Sequence, residues 1–206
     1  DGVKVGKIGK MRKLPYGIGP TINVGIGTIN VCDSVAAVKK LVYDEKKITM
    51  EELLAAMDAN WEGEKNQRIR QMCLDVPKYG NDNDETDELA SRIYDRICDV
   101  GREIDSYRGT KFRVAGISIT SHDPGGRLIG ATPDGRYAGS YLADGAASPE
   151  QGCDVCGPTA MLNSAMKLPQ LKLQSLLLNM KMHPSALKTE EDTAKFSMMI
   201  RTYLTE

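Results

Sequence analysis

Two cysteines at C-x-x-C spacing, Cys153 and Cys156, form the most recognisable chemical pattern in this chain. Such a pair binds zinc when two further ligands complete a tetrahedron, or exchanges disulfides when one thiol lies at a helix start. The remaining zinc candidates, His122 and His183, are isolated and distant in sequence, whereas Gly157 and Pro158 offer a helix start. We therefore expect no metal site and interpret both thiols as small side chains in a tight loop. Zinc binding and dithiol exchange stay as alternatives.

Three other patterns depart from the spacing of known sites. The segment GIGTIN, Gly25–Asn30, lacks the third glycine of a dinucleotide fingerprint, so we expect its glycines to turn the chain or to approach another backbone. The segment NDNDETDE, Asn81–Glu88, lacks the glycine and glutamate of an EF-hand loop and is typical of a solvated, acidic helix start. No G-x-S-x-G motif supplies a serine nucleophile, and His122 is a candidate pocket residue at a strand end.

The composition is that of an ordinary globular protein, with 41% apolar and 27% charged residues among 206. A net charge of −1 predicts no nucleic-acid partner, and the lack of an apolar run of roughly 20 residues predicts no membrane partner. The basic residues in the stretch 1–15 are interpreted as a solvated face. Five scattered cysteines predict a reducing compartment, the cytoplasm, rather than a disulfide framework.

Apolar periodicity predicts helices that alternate with short strands. Asp33 or Ser34 is predicted to cap the first helix, and Thr49 with Glu52 has capping-box spacing at the start of the second. Further helices are predicted over residues 65–74, 85–106, 159–167 and 189–203, and strands over residues 112–120 and 173–182. Strands separated by helices predict an α/β fold with a parallel or mixed sheet.

Four segments, in order, resemble glycyl radical enzymes of the pyruvate formate-lyase-like branch, which includes diol dehydratases, choline lyase and arylacetate decarboxylases. They read NVCDSVAAVKKLVYDEKKIT, PKYGNDNDETDELA, GATPDGRYAGSYLADGAASPEQGCDVCGPTA and NMKMHPSAL followed by IRTYL. The resemblance covers Tyr16 to Tyr203 and implies an α/β fold that is part of a ten-stranded α/β barrel. Residues 1–206 would be a single segment of that larger barrel domain, and only the basic stretch 1–15 is atypical.

The resemblance implies that the loop Gly130–Ala160 is an ordered scaffold around the barrel. Within it, Asp134 and Arg136 would be structural anchors, through an ion pair or a backbone clamp between turns. Asp154 would be structural as well. The run Pro133-Asp134-Gly135 is favourable turn chemistry by itself.

Four residues are substrate-binding candidates. Successive strand residues alternate in direction, so Ser118 and Thr120 point to one side of the strand that we predict over 112–120. We expect that side to line the barrel interior. Asn30 and Thr132, which lie beside tight turns, are the weaker candidates.

The same resemblance implies catalytic chemistry that lies outside this chain. The family stores a radical on a glycine in a motif like R-V-x-G-Y and forms a thiyl radical on a cysteine in a G-C-V-E-like loop. The sequence contains neither motif, and Cys32 lacks the flanking glutamate that a substitute would need. We therefore predict no catalytic residue and no bound cofactor in this chain, and interpret it as a segment of a roughly fourfold longer polypeptide.

For the whole protein, the resemblance implies a radical lyase, dehydratase or decarboxylase of C–C, C–O or C–N bonds, or a formate acetyltransferase-like enzyme. A separate activating enzyme with S-adenosylmethionine and an iron–sulfur cluster would install the glycyl radical. The other implied partners are a small-molecule substrate, the remainder of the barrel and a second copy in a homodimer. The alternative is a non-catalytic remnant that binds a partner.

Overall fold

The computed structural model describes residues 21–105, 111–118 and 120–205, so the predictions on residues 1–15 and on Ile119 lie outside the described part. The helices are α1 (Thr28–Val38), α2 (Met50–Asp58), α3 (Glu64–Asp75), α4 (Asp84–Glu103), α5 (His122–Arg127), α6 (Pro158–Met166) and α7 (Glu190–Thr205). The strands are β1 (Thr21–Asn23), β2 (Arg113–Gly116) and β3 (Ser175–Leu176). A π-helical turn, Lys39–Asp44, extends α1, and 3₁₀ turns cover Gln170–Lys172 and Pro184–Leu187.

The three strands form a parallel sheet in the order β1-β2-β3, which confirms the predicted α/β alternation. Thr21 pairs with Arg113, and Ala115 pairs with Ser175. Both predicted long strands are shorter in the structure. β2 ends at Gly116 because the next amide, of Ile117, donates to the side chain of Asn23 (3.1 Å) instead of continuing the ladder.

The prediction that Asp33 or Ser34 caps the first helix is wrong, because α1 already begins at Thr28. Its N-cap residue is Gly27, whose φ of 69° lies in the left-handed region that favours glycine. Of the two residues that resembled a helix cap, Asp33 is instead buried by a long-range contact. Asp33, fully buried, accepts a hydrogen bond from the backbone of Tyr79 (2.9 Å), 46 positions away.

Two predicted helix starts are confirmed. The Thr49 side chain accepts from the Glu52 amide, and the Glu52 carboxylate accepts from the Thr49 amide, both at 3.1 Å. Asn83 caps α4 by accepting from the Thr86 amide (3.1 Å) and is followed by an acidic first turn.

The acidic start of α4 is solvated as predicted at Asp84 and Glu85, but the prediction fails at Asp87. Lys167 Nζ lies 2.8 Å from carboxylate oxygens of Asp82 and Asp84 and 2.9 Å from Asp87 Oδ2. Asp87 is fully buried, and it also accepts from Ser164 Oγ (2.9 Å). The acidic run is therefore a junction between α4 and α6, joined by one ammonium group.

Buried residues form two hydrophobic clusters. The first lies between α1, α4 and β2 and includes Tyr79 and Tyr94, whose hydroxyls donate to the carbonyls of Ala147 and Ala146. The second surrounds Trp61, between α2, α3 and the π-helical turn. Trp61 Nε1 donates to the carbonyl of Arg136 (2.9 Å), so this core is attached directly to the glycine-rich loop 130–160.

The last helix, α7, contains no buried residue, although its sequence is amphipathic as predicted. Large apolar side chains such as Met198 and Leu204 are 69% and 74% exposed. None of the helices in the described part of the chain has both the length and the apolar character to cross a membrane.

Candidate functional site

A polar cluster lies where the parallel strands end. Ser118 follows β2, and its hydroxyl donates to Asp144 Oδ1 (3.0 Å) while accepting from the Gly145 amide (2.8 Å). Asn179 follows β3 and donates to Asp144 Oδ2 (2.7 Å). Parallel α/β folds place their ligand sites at the carboxyl ends of the strands, so this cluster is the candidate functional site.

His122 adds an imidazole to the same cluster. It is the first residue of α5, and its Nδ1 lies 3.6 Å from Asp144 Oδ1, too far for a direct hydrogen bond. Nδ1 is buried and has no hydrogen-bond partner among the described residues. The Tyr141 ring lies near it, with 6.4 Å between ring centroids. The arrangement therefore leaves one imidazole nitrogen available beside a carboxylate.

The structure brings only one of the two strand candidates into this cluster. Ser118 is 2% exposed and engaged with Asp144, whereas Thr120 is exposed. Both residues lie beyond the last paired residue of β2, so the predicted strand alternation does not set their directions. Substrate contact by either residue stays a prediction.

Arg136 makes the contacts of a backbone clamp within the glycine-rich loop. Its guanidinium donates to the carbonyls of Ser140 (2.7 Å) and Gly130 (2.5 Å) and to Thr132 Oγ1 (3.1 Å). Asp134 Oδ1 accepts from the backbone amide of Arg136 (3.2 Å). In the described part of the chain no ion pair joins the Asp134 and Arg136 side chains, and we propose that both residues are anchors through backbone contacts.

Asn30 joins α1 to two separate parts of the same loop. Its Oδ1 accepts from the Ala143 amide (2.7 Å), and its Nδ2 donates to Asp134 Oδ2 (2.8 Å) and Glu150 Oε2 (2.5 Å). Thr132 is likewise engaged, because its hydroxyl donates to Asp134 Oδ1 (2.5 Å). These bonds occupy both amide hydrogens of Asn30. Substrate contact by Asn30 or Thr132 therefore stays a prediction that the geometry does not favour.

Two carboxyl groups beside this network have altered acidity. Burial raises the pKa of Asp33 to about 7, although the Tyr79 amide and the charge of Lys78 oppose the rise. Burial also raises the pKa of Glu150 to about 7, against the hydrogen bond from Asn30. Each of these pKa values lies near neutral pH, a property that functional carboxyls often share.

The C-x-x-C segment is a tight loop organised by an asparagine that sequence reasoning missed. Asn81 Oδ1 accepts from the amides of Val155 (2.8 Å) and Cys156 (3.0 Å), and its Nδ2 donates to the Cys153 carbonyl (2.7 Å). Burial raises the pKa of the Cys153 thiol to about 11, which disfavours the thiolate. Among described residues no group of three potential ligands could hold a metal ion.

Asp154, predicted to be structural, is exposed between the two cysteines. Its assignment stays a prediction, because the hydrogen bonds that shape this loop come from Asn81. The asparagine was identifiable only as part of the PKYGNDN segment, which carried no sign of its distant partners.

Two short segments begin like the radical motifs but do not complete them. Arg113–Gly116 reads R-V-A-G but is followed by Ile117 rather than tyrosine, and a Cβ on Gly116 would lie 2.2 Å from Ala146 Cβ. Gly116 therefore serves the close packing of β2. The run Gly152-Cys153-Asp154-Val155 has no glutamate after its cysteine. Burial also raises the pKa of Cys32, which is fully buried in α1.

Comparison with known proteins assigns the family. Residues 10–126 match the family described as pyruvate formate lyase-like, and residues 143–206 match the family described as glycine radical. The chain thus belongs to the pyruvate formate lyase-like family, and its relatives are glycyl radical enzymes. The first match begins within the basic stretch 1–15.

Individual relatives agree with this assignment. The chain is 39% identical over 201 residues to indoleacetate decarboxylase of Tractidigestivibacter scatoligenes, covering 86% of this chain and 23% of the relative. It is 39% identical over 183 residues to isethionate sulfite-lyase of Nitratidesulfovibrio vulgaris, covering 87% of this chain and 22% of the relative. The structure of the glycerol-bound B12-independent glycerol dehydratase of Clostridium butyricum superposes on this chain with a TM-score of 0.84 at 39% identity. The superposition covers 89% of this chain and 23% of the dehydratase. The chain therefore spans about a quarter of the length of these relatives.

Proposed function

We propose that this chain is a segment of a glycyl radical enzyme that cleaves C–C, C–O or C–N bonds as a lyase, dehydratase or decarboxylase. The observation that carries the proposal is the family match over residues 10–126 together with the coverage of about 23% of each relative. The radical glycine and the thiyl cysteine belong to parts of the protein beyond these 206 residues. The alternative, a non-catalytic module, has no comparable support.

The segment would form part of a ten-stranded α/β barrel, closed by the remainder of the protein. The parallel sheet and the polar cluster at its strand ends support this arrangement. The same reasoning extends to the surroundings of the enzyme: an anaerobic cytoplasm, a homodimer, and a separate activating enzyme with S-adenosylmethionine and an iron–sulfur cluster. Each of these belongs to the proposal.

Within the barrel, the strand-end cluster would contact a small-molecule substrate. The Asp144 carboxylate is fixed by donors from Ser118 and Asn179, so it can accept a hydrogen bond from a substrate hydroxyl without reorganising. The free Nδ1 of His122 beside it can hold or return a proton during bond cleavage. The thiyl and glycyl radicals supply the hydrogen abstraction; this segment positions the substrate.

The proposal is tested by activation of the complete protein without oxygen. We expect that incubation with a radical activating enzyme, S-adenosylmethionine and a reductant yields a glycyl radical detectable by electron paramagnetic resonance. A complete protein that acquires no radical under conditions that activate a known relative would contradict the enzyme assignment and favour the partner-binding module.

The substrate role of the cluster is tested separately with Ser118→Ala. This change removes one donor to Asp144, so we expect turnover to fall about tenfold or more while the amount of glycyl radical stays the same. Asp58→Ala, at an exposed position at the end of α2, is the control and should leave both quantities unchanged. Unchanged turnover in Ser118→Ala would mean that the strand-end cluster does not contact the substrate.

A further inference from the structure

A second polar cavity lies away from the strand-end cluster, between α3, the turn at Gly135 and the segment that follows Pro149. Its volume is about 190 Å³, more than roughly ten times the space that one buried water needs. Three carboxylates and three cations line it: Asp33, Asp134 and Glu150 with Arg70, Lys78 and Arg136. The exposed side chain of Gln151 lies at its mouth. No role in the proposed radical reaction requires this cavity.

Several of these groups have hydrogen-bonding capacity left over. Asp33 is fully buried and its Oδ2 has no partner among the described residues, although Oδ1 accepts from Tyr79. Lys78 is 6% exposed and donates only to the Cys73 carbonyl (2.6 Å) within the described part. Glu150 Oε2 accepts a hydrogen bond from Asn30, which leaves Glu150 Oε1 as a further acceptor. A buried charged group with unused bonding capacity is costly unless something occupies the space beside it.

Of the three remaining charged groups, Asp134 and Arg136 are already satisfied. Asp134 accepts hydrogen bonds through both oxygens, and Arg136 donates to backbone carbonyls on either side of its turn. Apart from Arg70 at the rim, whose Nε donates to the Gly135 carbonyl (2.8 Å), the free capacity consists of an ammonium donor on Lys78 and two acid oxygens, on Asp33 and Glu150. Arg70 stacks on Tyr137, 4.0 Å from the ring centroid, and fixes the rim.

We propose that this cavity binds a small neutral molecule with two or more hydroxyl groups, which accept a hydrogen bond from Lys78 and donate hydrogen bonds to Asp33 and Glu150. An anion would face three carboxylates, and a cation would face three cationic side chains. An apolar ligand would leave the buried Asp33 oxygen unpaired. A hydroxyl both donates and accepts at one atom, so it matches each free group on the wall.

Cys153 offers a readout that is specific to the cavity. It lines the cavity and is partly buried, whereas Cys156 is exposed three residues further on. The experiment uses the complete protein without radical activation, with glycerol as the probe and iodoacetamide as the thiol reagent. Peptide mass spectrometry then gives the alkylation rate of each cysteine. At a glycerol concentration of ten times its dissociation constant, we expect the alkylation of Cys153 to be about tenfold slower and the alkylation of Cys156 to be unchanged.

Three variants locate the effect. Gln151→Trp fills the mouth of the cavity without touching the buried carboxylates, and it should abolish the protection by glycerol. Gln71→Trp, an exposed position on α3 that does not line the cavity, should retain it. Ser118→Ala should retain it as well, which separates this cavity from the proposed substrate site. Because no radical is generated, the result is independent of the activation experiment.

Equal Cys153 alkylation with and without glycerol, or protection that persists in Gln151→Trp, would overturn the proposal. If Cys153 does not react in the complete protein, crystals grown with glycerol decide the question. Glycerol density that contacts Lys78 and Asp33 would support the site. Ordered waters alone in the cavity would overturn it.

Discussion

Three carboxylates near the glycine-rich loop, the buried Asp33 and Asp134 and the partly buried Glu150, differ in how many hydrogen bonds they accept. Asp134 accepts three, from Thr132, Asn30 and the Arg136 amide. Glu150 and Asp33 accept one each, and for both of them burial raises the pKa to about 7. For Asp33 and Glu150, the effect of burial on the pKa therefore outweighs that of the single hydrogen bond that each one accepts.

Asp33→Asn tests the proton exchange through the pH dependence of stability. The pKa of Asp33 is raised from 3.8 to about 7, so the folded state keeps a proton that the unfolded state releases between about pH 4 and 7. The free energy of unfolding should thus fall as pH rises through that window, by at most about 4 kcal/mol at 1.4 kcal/mol per pKa unit. Asp33→Asn should remove this part of the fall.

The measurement is denaturant unfolding at pH 5.5 and pH 8, followed by the fluorescence of Trp61. Asp58→Asn, at an exposed position at the end of α2, is the control and should keep the pH dependence of the unaltered protein. If Asp33→Asn and the unaltered protein lose stability equally between the two pH values, Asp33 is not the group that binds the proton.

At the same scale, local turn chemistry made some site residues predictable and distance in sequence concealed the others. Pro133-Asp134-Gly135 indicated an ordered turn because its residue types favour one locally. Asp144, Asn179 and Glu150 carried no local pattern. The contact from Asn30 to Glu150 spans 120 positions, and only the folded sheet brings such residues together.

Among the elements, the junction between β1 and α1 depends on one glycine. A Cβ on Gly25 would lie 2.3 Å from the carbonyl carbon of Ile117, a backbone atom that cannot move aside. We expect Gly25→Ala to destabilise the protein by about 3 kcal/mol or more, because overpacking against backbone displaces β2. Gly130→Ala is the matched control, with no atom within 4 Å of the added Cβ, and should change stability by less than about 1 kcal/mol.

Thermal or denaturant unfolding of both variants provides the check. A Gly25→Ala protein as stable as Gly130→Ala would show that the two backbones can separate at no cost. The close approach of Gly25 to another backbone would then be present in the structure without being required for stability.

The elements themselves were predictable where their signals were local. The capping box of Thr49 and Glu52 requires only residues three positions apart, and the start of α2 follows it. The start of α1 was mispredicted because Thr28, Asn30 and Asp33 are polar yet buried by partners elsewhere in the chain. The strands were predicted too long because the Asn23 side chain, not a neighbouring strand, takes the amide of Ile117.

At the scale of the molecule, α7 presents an exposed apolar surface that other parts of the complete protein could cover. None of its residues is buried, and Met198 and Leu204 expose apolar side chains. Among the described residues, β1 and β3 are the outer strands of the three-stranded sheet. Both features fit a segment whose partner surfaces belong to the remainder of the proposed barrel.

Hydrogen exchange tests this expectation by comparing residues 1–206 alone with the complete protein. The amides of α7 should exchange at least about a hundredfold faster in the isolated segment, because only partial packing against α6 and the Pro184–Leu187 turn protects them there. Amides of α4, whose buried face is formed within the segment, should differ much less. Equal protection of α7 in both samples would show that nothing beyond this segment packs on it.

The parallel pairing of β1 with β2 has a consequence for folding during synthesis. Thr21 pairs with Arg113, 92 positions later, so β1 leaves the ribosome well before its partner exists. At about 5–20 residues per second the delay is roughly 5–20 s, long compared with the formation of a helix. The helices up to α4 therefore have time to fold and pack before β2 is available to pair with β1.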